Sequence, residues 1–125
     1  MKRDRLLVVE DDPATLASIR DLLLRAGFEV ETATTGRDAL ARLLDEELPA
    51  AIILDARMPV MSGAEFASVV RGYWRFANIP ILLLTAWDTP ATVVNSVDAV
   101  MRKPFRADEL LARVEMLVTS PAAIG

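Results

Sequence analysis

A run of four apolar residues at positions 51–54 leads directly into one carboxylate, Asp55, and Pro59 and Gly63 break the chain soon afterwards. A short apolar run bounded by turn residues is typical of a strand buried on both faces of a sheet. Asp55 is therefore predicted to lie at the carboxyl end of such a strand, the edge where ligands bind in open α/β sheets. An acidic residue there can also simply cap the following helix, so this position alone leaves both roles open.

Segments with strand character alternate with segments of helical periodicity along the whole chain. This alternation predicts one α/β domain, in which right-handed crossovers make the sheet parallel and cover both of its faces with helices. The predicted strands are residues 6–9, 28–33, 51–55, 79–85 and 97–101, and the predicted helices begin near Pro13, Gly36, Ala64, Thr89 and Ala107. The inward positions expected for the second and third helices are Ala39, Leu40, Leu43 and Leu44, and Phe66, Val69, Val70 and Tyr73.

Composition excludes several classes of function. The chain has no cysteine and no histidine, so it lacks disulfides, thiolate or imidazole metal ligands and imidazole catalysis. A net charge of −4 without a block of Lys or Arg argues against direct nucleic-acid binding. The apolar run after the basic start is too short for a signal peptide, and no stretch reaches membrane-span length. We therefore expect a soluble cytoplasmic protein without a membrane partner.

Polar side chains collect at the carboxyl edge of the predicted sheet. Converging carboxylates repel one another unless a cation lies among them, and oxygen ligands alone favour Mg²⁺. Beside such an ion a carboxylate can attack a phosphoryl group to form an aspartyl phosphate, while an ammonium and a hydroxyl hold the other phosphoryl oxygens. The residues are Glu10, Asp11 and Asp12 after the first strand, Asp55 after the third, Thr85 after the fourth and Lys103 after the fifth.

Plain structural roles are available to several of these residues. Asp12 precedes Pro13, which suits the first position of a helix, so Asp12 is expected to be the cap of that helix. Lys103 by itself fits a solvated surface lysine, and Thr85 by itself fits a residue that satisfies a loop amide. The functional interpretation rests on the gathering of these groups at one edge.

Four separated motifs resemble the receiver domain of two-component response regulators: residues 8–13 (VVEDDP), 54–63 (LDARMPVMSG), 84–86 (LTA) and 103–105 (KPF). The resemblance covers residues 5 to about 118. It implies a doubly wound, flavodoxin-like five-stranded parallel sheet of strand order 2-1-3-4-5. Residues 1–125 are then one receiver domain, in which residues 119–125 form a tail or the start of a linker.

The resemblance also implies roles for the acidic residues. Asp55 is expected to accept a phosphoryl group from a histidine kinase, a histidine phosphotransfer protein or a small acyl phosphate. Asp11 is expected to bind Mg²⁺ directly and Glu10 mainly through water, and Asp55 and the backbone carbonyl of Arg57 complete the protein ligands. The protein is then mainly a signalling switch that catalyses its own phosphorylation and dephosphorylation.

For Thr85 and Lys103 the resemblance implies contacts with the phosphoryl group, and it implies a cis Lys103–Pro104 bond. Phosphorylation is expected to draw Thr85 inward and shift the loop after the fourth strand, which changes the surface offered to a downstream protein partner or output domain.

The sequence departs from the family pattern after the fourth strand. Lys103 follows Thr85 by 18 positions, about one helical turn fewer than the family usually has, so the fourth helix is predicted to be shortened. Val100 occupies the position at which many receivers have a switching aromatic residue. Because the shortened fourth helix alters this region, a second interpretation stays open: the chain is a phosphorylation-independent receiver-like docking module and not a phosphoacceptor.

Two bulky residues flank the predicted site. Arg57 and Trp87 lie two positions after Asp55 and Thr85. The resemblance to receiver domains implies that these positions flank the water that attacks the acyl phosphate, so two bulky side chains there can shield it. A slowly decaying phosphoryl state is one hypothesis; a Trp87 that merely covers a short loop is the other.

Overall fold

The sheet has five parallel strands in the order β2-β1-β3-β4-β5. The structure is a computed structural model that describes residues 4–45, 47–57, 61–86 and 96–119. It confirms the predicted fold class and strand order. The strands are β1 (Arg5–Val9), β2 (Glu29–Ala33), β3 (Ala51–Asp55), β4 (Ile81–Thr85) and β5 (Ala99–Arg102).

Helices cover both faces of the sheet. Three of them follow the first three strands: α1 (Pro13–Arg25), α2 (Gly36–Asp45) and α3 (Gly63–Gly72). The C-terminal helix spans Ala107–Thr119 and follows β5. The shortened fourth helix, predicted to begin near Thr89, lies outside the described residues. No helix in the described ranges is both long and apolar enough to span a membrane.

The continuous apolar runs are explained by burial on both faces of the sheet. In β1, Leu6 and Val8 pack towards α1 and the C-terminal helix, whereas Leu7 and Val9 pack towards α2 and α3. Strands β3 and β4 alternate in the same way between these two clusters. Because neighbouring side chains in a strand point to opposite faces, each residue of these runs contributes to one of the two core layers.

Three predicted inward residues, Leu44, Val69 and Tyr73, are exposed, so those predictions were wrong. With about 100° of rotation per residue, Leu44 and Val69 lie on the flanks of their helices, roughly 100° from the centre of the buried stripe. Tyr73 follows the last residue of α3 and has an extended backbone, with φ −107° and ψ 115°, so helical periodicity no longer places it.

A salt bridge fixes the amino ends of β4 and β5. Arg71, near the end of α3, donates to the carbonyl oxygens of Ala77 and Ile79 at 3.0 and 2.9 Å and to Asp98 at 2.5 Å. The same Asp98 oxygen accepts the amide hydrogen of Ile81 at 2.7 Å. This network therefore sets the start of β5, the strand that leads to Lys103.

Candidate functional site

The ends of β1 and β3 place two carboxylates side by side at the carboxyl edge of the sheet. Val9 is paired with Leu54, so the residues that follow them, Glu10 and Asp55, lie next to each other. The amide of Glu10 donates to the carbonyl of Ala33 at 3.0 Å, which holds the end of β1 against β2. The sheet itself therefore aligns these two carboxylates, without any contribution from a ligand.

Glu10, Asp11 and Asp55 form the acidic cluster predicted from the sequence. Each offers one carboxylate oxygen, and these oxygens lie within 4.8 Å of one another. Glu10 is only 2% exposed and Asp55 only 5% exposed, whereas Asp11 is exposed. The cluster thus has two buried members and one member open to solvent, through which a small ion or substrate can approach.

Lys103 supplies a positive charge to this cluster. Its Nζ lies 3.1 Å from Oδ1 of Asp55 and 3.5 Å from Oε1 of Glu10. Partial burial lowers the pKa of Lys103, but the hydrogen bond and charge of Asp55, together with those of Glu10, outweigh burial and raise the pKa above its ordinary value. Lys103 is therefore an ammonium ion at neutral pH and is not a solvated surface lysine.

The charge of Glu10 is poorly compensated. Burial is the main cause that raises its pKa to about 7; the hydrogen bond from the amide of Asp12, 3.2 Å from Oε2, lowers it, Asp55 raises it and Lys103 lowers it. Three carboxylates against one ammonium leave excess negative charge in a partly buried site. A cation among the carboxylate oxygens would relieve that repulsion.

Asp12 lies outside the cluster and caps α1, as expected. Its carboxylate accepts hydrogen bonds from the amide of Thr15 at 2.9 Å and from the Thr15 hydroxyl at 2.6 Å. These bonds lower the pKa of the exposed Asp12 carboxyl. Of the three consecutive acids, the structure therefore assigns the first two to the cluster and the third to the helix.

Thr85 and Arg57 occupy the same edge of the sheet as the cluster. Thr85 is buried at the end of β4, and its carbonyl accepts the amide hydrogen of Lys103 at 2.7 Å. The Lys103–Pro104 bond is cis, as predicted. Arg57 is exposed two positions beyond Asp55. Trp87, predicted to shield the site together with Arg57, lies outside the described residues.

Gly63 positions the backbone that carries Asp55, whereas the sequence predicts it only as a residue that breaks the chain after the third strand. A Cβ at this position would lie 2.6 Å from the carbonyl oxygen of Asp55 and 2.9 Å from Cα of Ala56. The amide of Gly63 also donates to the carbonyl of Ala56 at 3.2 Å. The first turn of α3 thus packs directly against the backbone that carries Asp55.

The start of α3 is fixed by a capping box. The Ser62 hydroxyl accepts the amide hydrogen of Glu65, and the Glu65 carboxylate accepts that of Ser62, both at 3.1 Å. The signal for this feature, Ser followed three residues later by Glu, is visible in the sequence.

Comparison with known proteins agrees with this arrangement. The family model described as "Response regulator receiver domain" matches residues 6–115. Response regulator MprA of Mycolicibacterium vanbaalenii is 40% identical over 118 residues, which are 91% of this chain and 50% of that protein. The chain thus spans about half the length of the curated relatives it matches.

Two solved structures of response regulators are also similar to this chain. A putative response regulator from Chloroflexus aurantiacus has a TM-score of 0.86 and 30% identity, covering 94% of this chain and 98% of that one. Response regulator TrrA of Thermotoga maritima, crystallised in complex with Mg²⁺-BeF, has a TM-score of 0.84 and 32% identity, covering 92% and 99%. The chain belongs to the response regulator receiver domain family of two-component signalling proteins.

Proposed function

We propose that this chain accepts a phosphoryl group on Asp55 in a Mg²⁺-dependent reaction and thereby changes a surface that binds another protein. The observation that carries the proposal is the environment of Asp55. This buried carboxylate lies at the end of a central strand. One of its oxygens is within 4.8 Å of carboxylate oxygens of Glu10 and Asp11, and Oδ1 lies 3.1 Å from Nζ of Lys103.

The donor set suits magnesium. Carboxylate oxygens of Glu10, Asp11 and Asp55, with the backbone carbonyl of Arg57, would hold the ion, Glu10 mainly through water. Oxygen ligands without nitrogen or sulfur favour hard cations, and the excess negative charge of the cluster favours a divalent one. When bound, Mg²⁺ would neutralise negative charge on the phosphoryl oxygens.

In the transfer itself, the Asp55 carboxylate is the nucleophile. One carboxylate oxygen attacks phosphorus, an O–P bond forms, and the P–N bond of a phosphohistidine or the P–O bond of an acyl phosphate breaks. The leaving group keeps the electron pair of the broken bond. Because this chain has no histidine, a phosphohistidine donor must belong to a kinase or a phosphotransfer protein.

Lys103 and Thr85 would stabilise the product. The raised pKa of Lys103 keeps it charged, so its ammonium can move from Asp55 to the new phosphoryl oxygens. The Thr85 hydroxyl would donate to another of these oxygens. Because the Thr85 carbonyl is bonded to the Lys103 amide, we expect movement of Thr85 to change the loop after β4 and the end of β5 together.

Partners follow from this chemistry. A histidine kinase or histidine phosphotransfer protein would donate the phosphoryl group, and a downstream protein or an output domain would receive the signal. The names of the relatives, which are response regulators about twice the length of this chain, support this part of the proposal. We place the activity in the cytoplasm, where ATP-dependent kinases work, and assign this domain no direct contact with nucleic acid or membrane.

The experiment is intact-mass analysis after incubation with acetyl phosphate, with and without Mg²⁺. The wild-type protein should gain one phosphoryl group only when Mg²⁺ is present, and Asp55→Asn should gain none. A protein that remains unlabelled under conditions that phosphorylate another receiver would support the alternative, a phosphorylation-independent docking module.

A further inference from the structure

Strand β5, which leads to Lys103, is a short strand at an edge of the sheet. It is four residues long, it is last in the strand order, and among the described residues it pairs with β4 alone. Met101 is its one buried residue, whereas Ala99 and Val100 are half-buried and Arg102 is exposed. Because a buried apolar face is what normally fixes the register of a strand, β5 needs other contacts to fix its register on β4.

Asp98, the residue before β5, holds the start of this strand through both its backbone and its side chain. Its amide donates to the carbonyl of Ile81 at 2.9 Å, and its carboxylate Oδ2 accepts the Ile81 amide hydrogen at 2.7 Å. Both backbone polar groups of Ile81, the first residue of β4, are therefore bonded to Asp98. A shift of β5 along β4 would break these two bonds together.

Arg71 holds the Asp98 carboxylate in this position. Its Nη2 donates to the same Oδ2 at 2.5 Å, and its Nη1 donates to the carbonyls of Ala77 and Ile79. The side chains of Arg71 and Asp98 are 25% and 45% exposed, so solvent screens their charges only in part. Because the guanidinium is fixed by two backbone carbonyls, it offers its remaining donor in one direction and favours one orientation of the carboxylate.

The other end of β5 places Lys103. Arg102 is paired with Thr85, and the Lys103 amide donates to the Thr85 carbonyl at 2.7 Å. In this register Nζ of Lys103 lies 3.1 Å from Oδ1 of Asp55. A slip of one position moves a strand by about 3.3 Å and turns each side chain to the opposite face of the sheet. The contact between Lys103 and Asp55 therefore depends on the register of β5.

We propose that Asp98, oriented by Arg71, is a positioning residue that sets the register of β5. The register in turn holds the Lys103 ammonium against Asp55, so this inference rests on the phosphoryl transfer proposed for that carboxylate. Arg71 belongs to α3, and the first turn of α3 packs against the Asp55 backbone. One helix thus contacts both the strand end that carries the nucleophile and the residue that places the ammonium.

Amine labelling tests the position of Lys103 without any phosphoryl donor. The sequence has two lysines, Lys2 and Lys103. The acylation rate of Lys103 by an N-hydroxysuccinimide ester is therefore read against that of Lys2 by tandem mass spectrometry. In the wild type, the ion pairs with two carboxylates should protect Lys103, and Asp98→Ala should raise the Lys103-to-Lys2 ratio about threefold or more. Asp98→Asn, whose amide oxygen can still accept the Ile81 amide hydrogen, should recover most of the protection.

Glu31→Ala is the matched control. It removes a comparable ion pair, in which Arg42 donates to Glu31 at 3.0 Å, from β2 at the opposite edge of the sheet. This variant should keep the wild-type ratio when all variants are labelled under conditions in which circular dichroism shows them to be folded. A ratio that rises equally in Asp98→Ala and Glu31→Ala, or in neither, would overturn the proposal. An Asp98→Asn variant as reactive as Asp98→Ala would also overturn it.

The rate of phosphorylation by acetyl phosphate and Mg²⁺ connects the position of Lys103 with the reaction. Asp98→Ala should slow phosphorylation about threefold or more because the ammonium is displaced, and Glu31→Ala should not slow it. A raised labelling ratio without slower phosphorylation would overturn the role of Asp98 in the transfer. A wild-type protein that gains no phosphoryl group would contradict the proposed function, whereas the labelling ratio would still decide whether Asp98 places Lys103.

Discussion

Gly63→Ala should damage the Asp55 site through the backbone. The added methyl group would lie 2.6 Å from the carbonyl oxygen of Asp55, 2.9 Å from Cα of Ala56 and 3.2 Å from Cδ1 of Leu83. The two closest atoms belong to the backbone that leaves β3, so no side-chain rotation can relieve the contacts. The start of α3 and the end of β3 must instead separate.

The size of the effect follows from these distances. Reaching the 3.4 Å of ordinary contact requires a separation of about 0.8 Å at the Asp55 carbonyl. Overpacking of this kind costs about 1–3 kcal/mol, while the lower chain entropy of alanine returns about 0.4–1 kcal/mol. We therefore expect a net loss of about 1–2 kcal/mol in the free energy of unfolding, and phosphorylation at least about tenfold slower because Asp55 is misplaced.

Two other glycines provide matched controls for urea unfolding and for the rate of phosphorylation by acetyl phosphate. A Cβ at Gly72, the last residue of the same helix, meets nothing within 4 Å, so Gly72→Ala should be neutral or slightly stabilising. A Cβ at Gly36 meets the flexible end of Met61 at 2.8 Å, so Gly36→Ala should have an intermediate effect. A Gly63→Ala variant that is as stable and as rapidly phosphorylated as Gly72→Ala would show that α3 does not pack this tightly against the Asp55 backbone.

Two further predictions concern the charged groups. Asp98→Ala should lower the free energy of unfolding by about 1–3 kcal/mol because it leaves the Ile81 amide and Nη2 of Arg71 without this acceptor. Asp21→Ala, which removes an exposed ion pair, is the control, and it should change the free energy of urea unfolding by less than about 0.5 kcal/mol. Burial raises the pKa of Glu10 from 4.5 to about 7, so the folded protein keeps a proton that the unfolded chain releases. Without Mg²⁺, the contribution of Glu10 to stability should therefore be fully present below pH 4.5 and should decrease by about 1–3 kcal/mol as the pH rises from 4.5 through 7. Glu10→Gln should flatten this profile in thermal unfolding, and an unchanged slope would contradict the assignment.

The fold could be predicted because the runs around Leu6, Ile53 and Leu82 are apolar at every position. That pattern fits strands buried on both faces, and turn residues mark where each strand ends. Parallel topology then brings the residues after the strands to one edge. Local pattern and global fold agree at these positions, which is why the acidic cluster was found from the sequence.

The errors and omissions depend on three-dimensional contacts. An apolar residue on the flank of a stripe, such as Leu44, looks the same in the sequence as one at its centre. The Arg71–Asp98 pair spans 27 positions, and no local signal connects its members. The closeness of Gly63 to the Asp55 carbonyl likewise exists only once α3 packs against the end of β3.

The most direct test of the central claim is to locate the phosphoryl group chemically. Protein treated with acetyl phosphate and Mg²⁺ is reduced with borohydride, which converts an aspartyl phosphate to homoserine, and the position is read by tandem mass spectrometry. We expect homoserine at position 55 and an unmodified Asp11, and no homoserine when Mg²⁺ is chelated before acetyl phosphate is added. Homoserine at position 11, or product formation that does not depend on Mg²⁺, would contradict it.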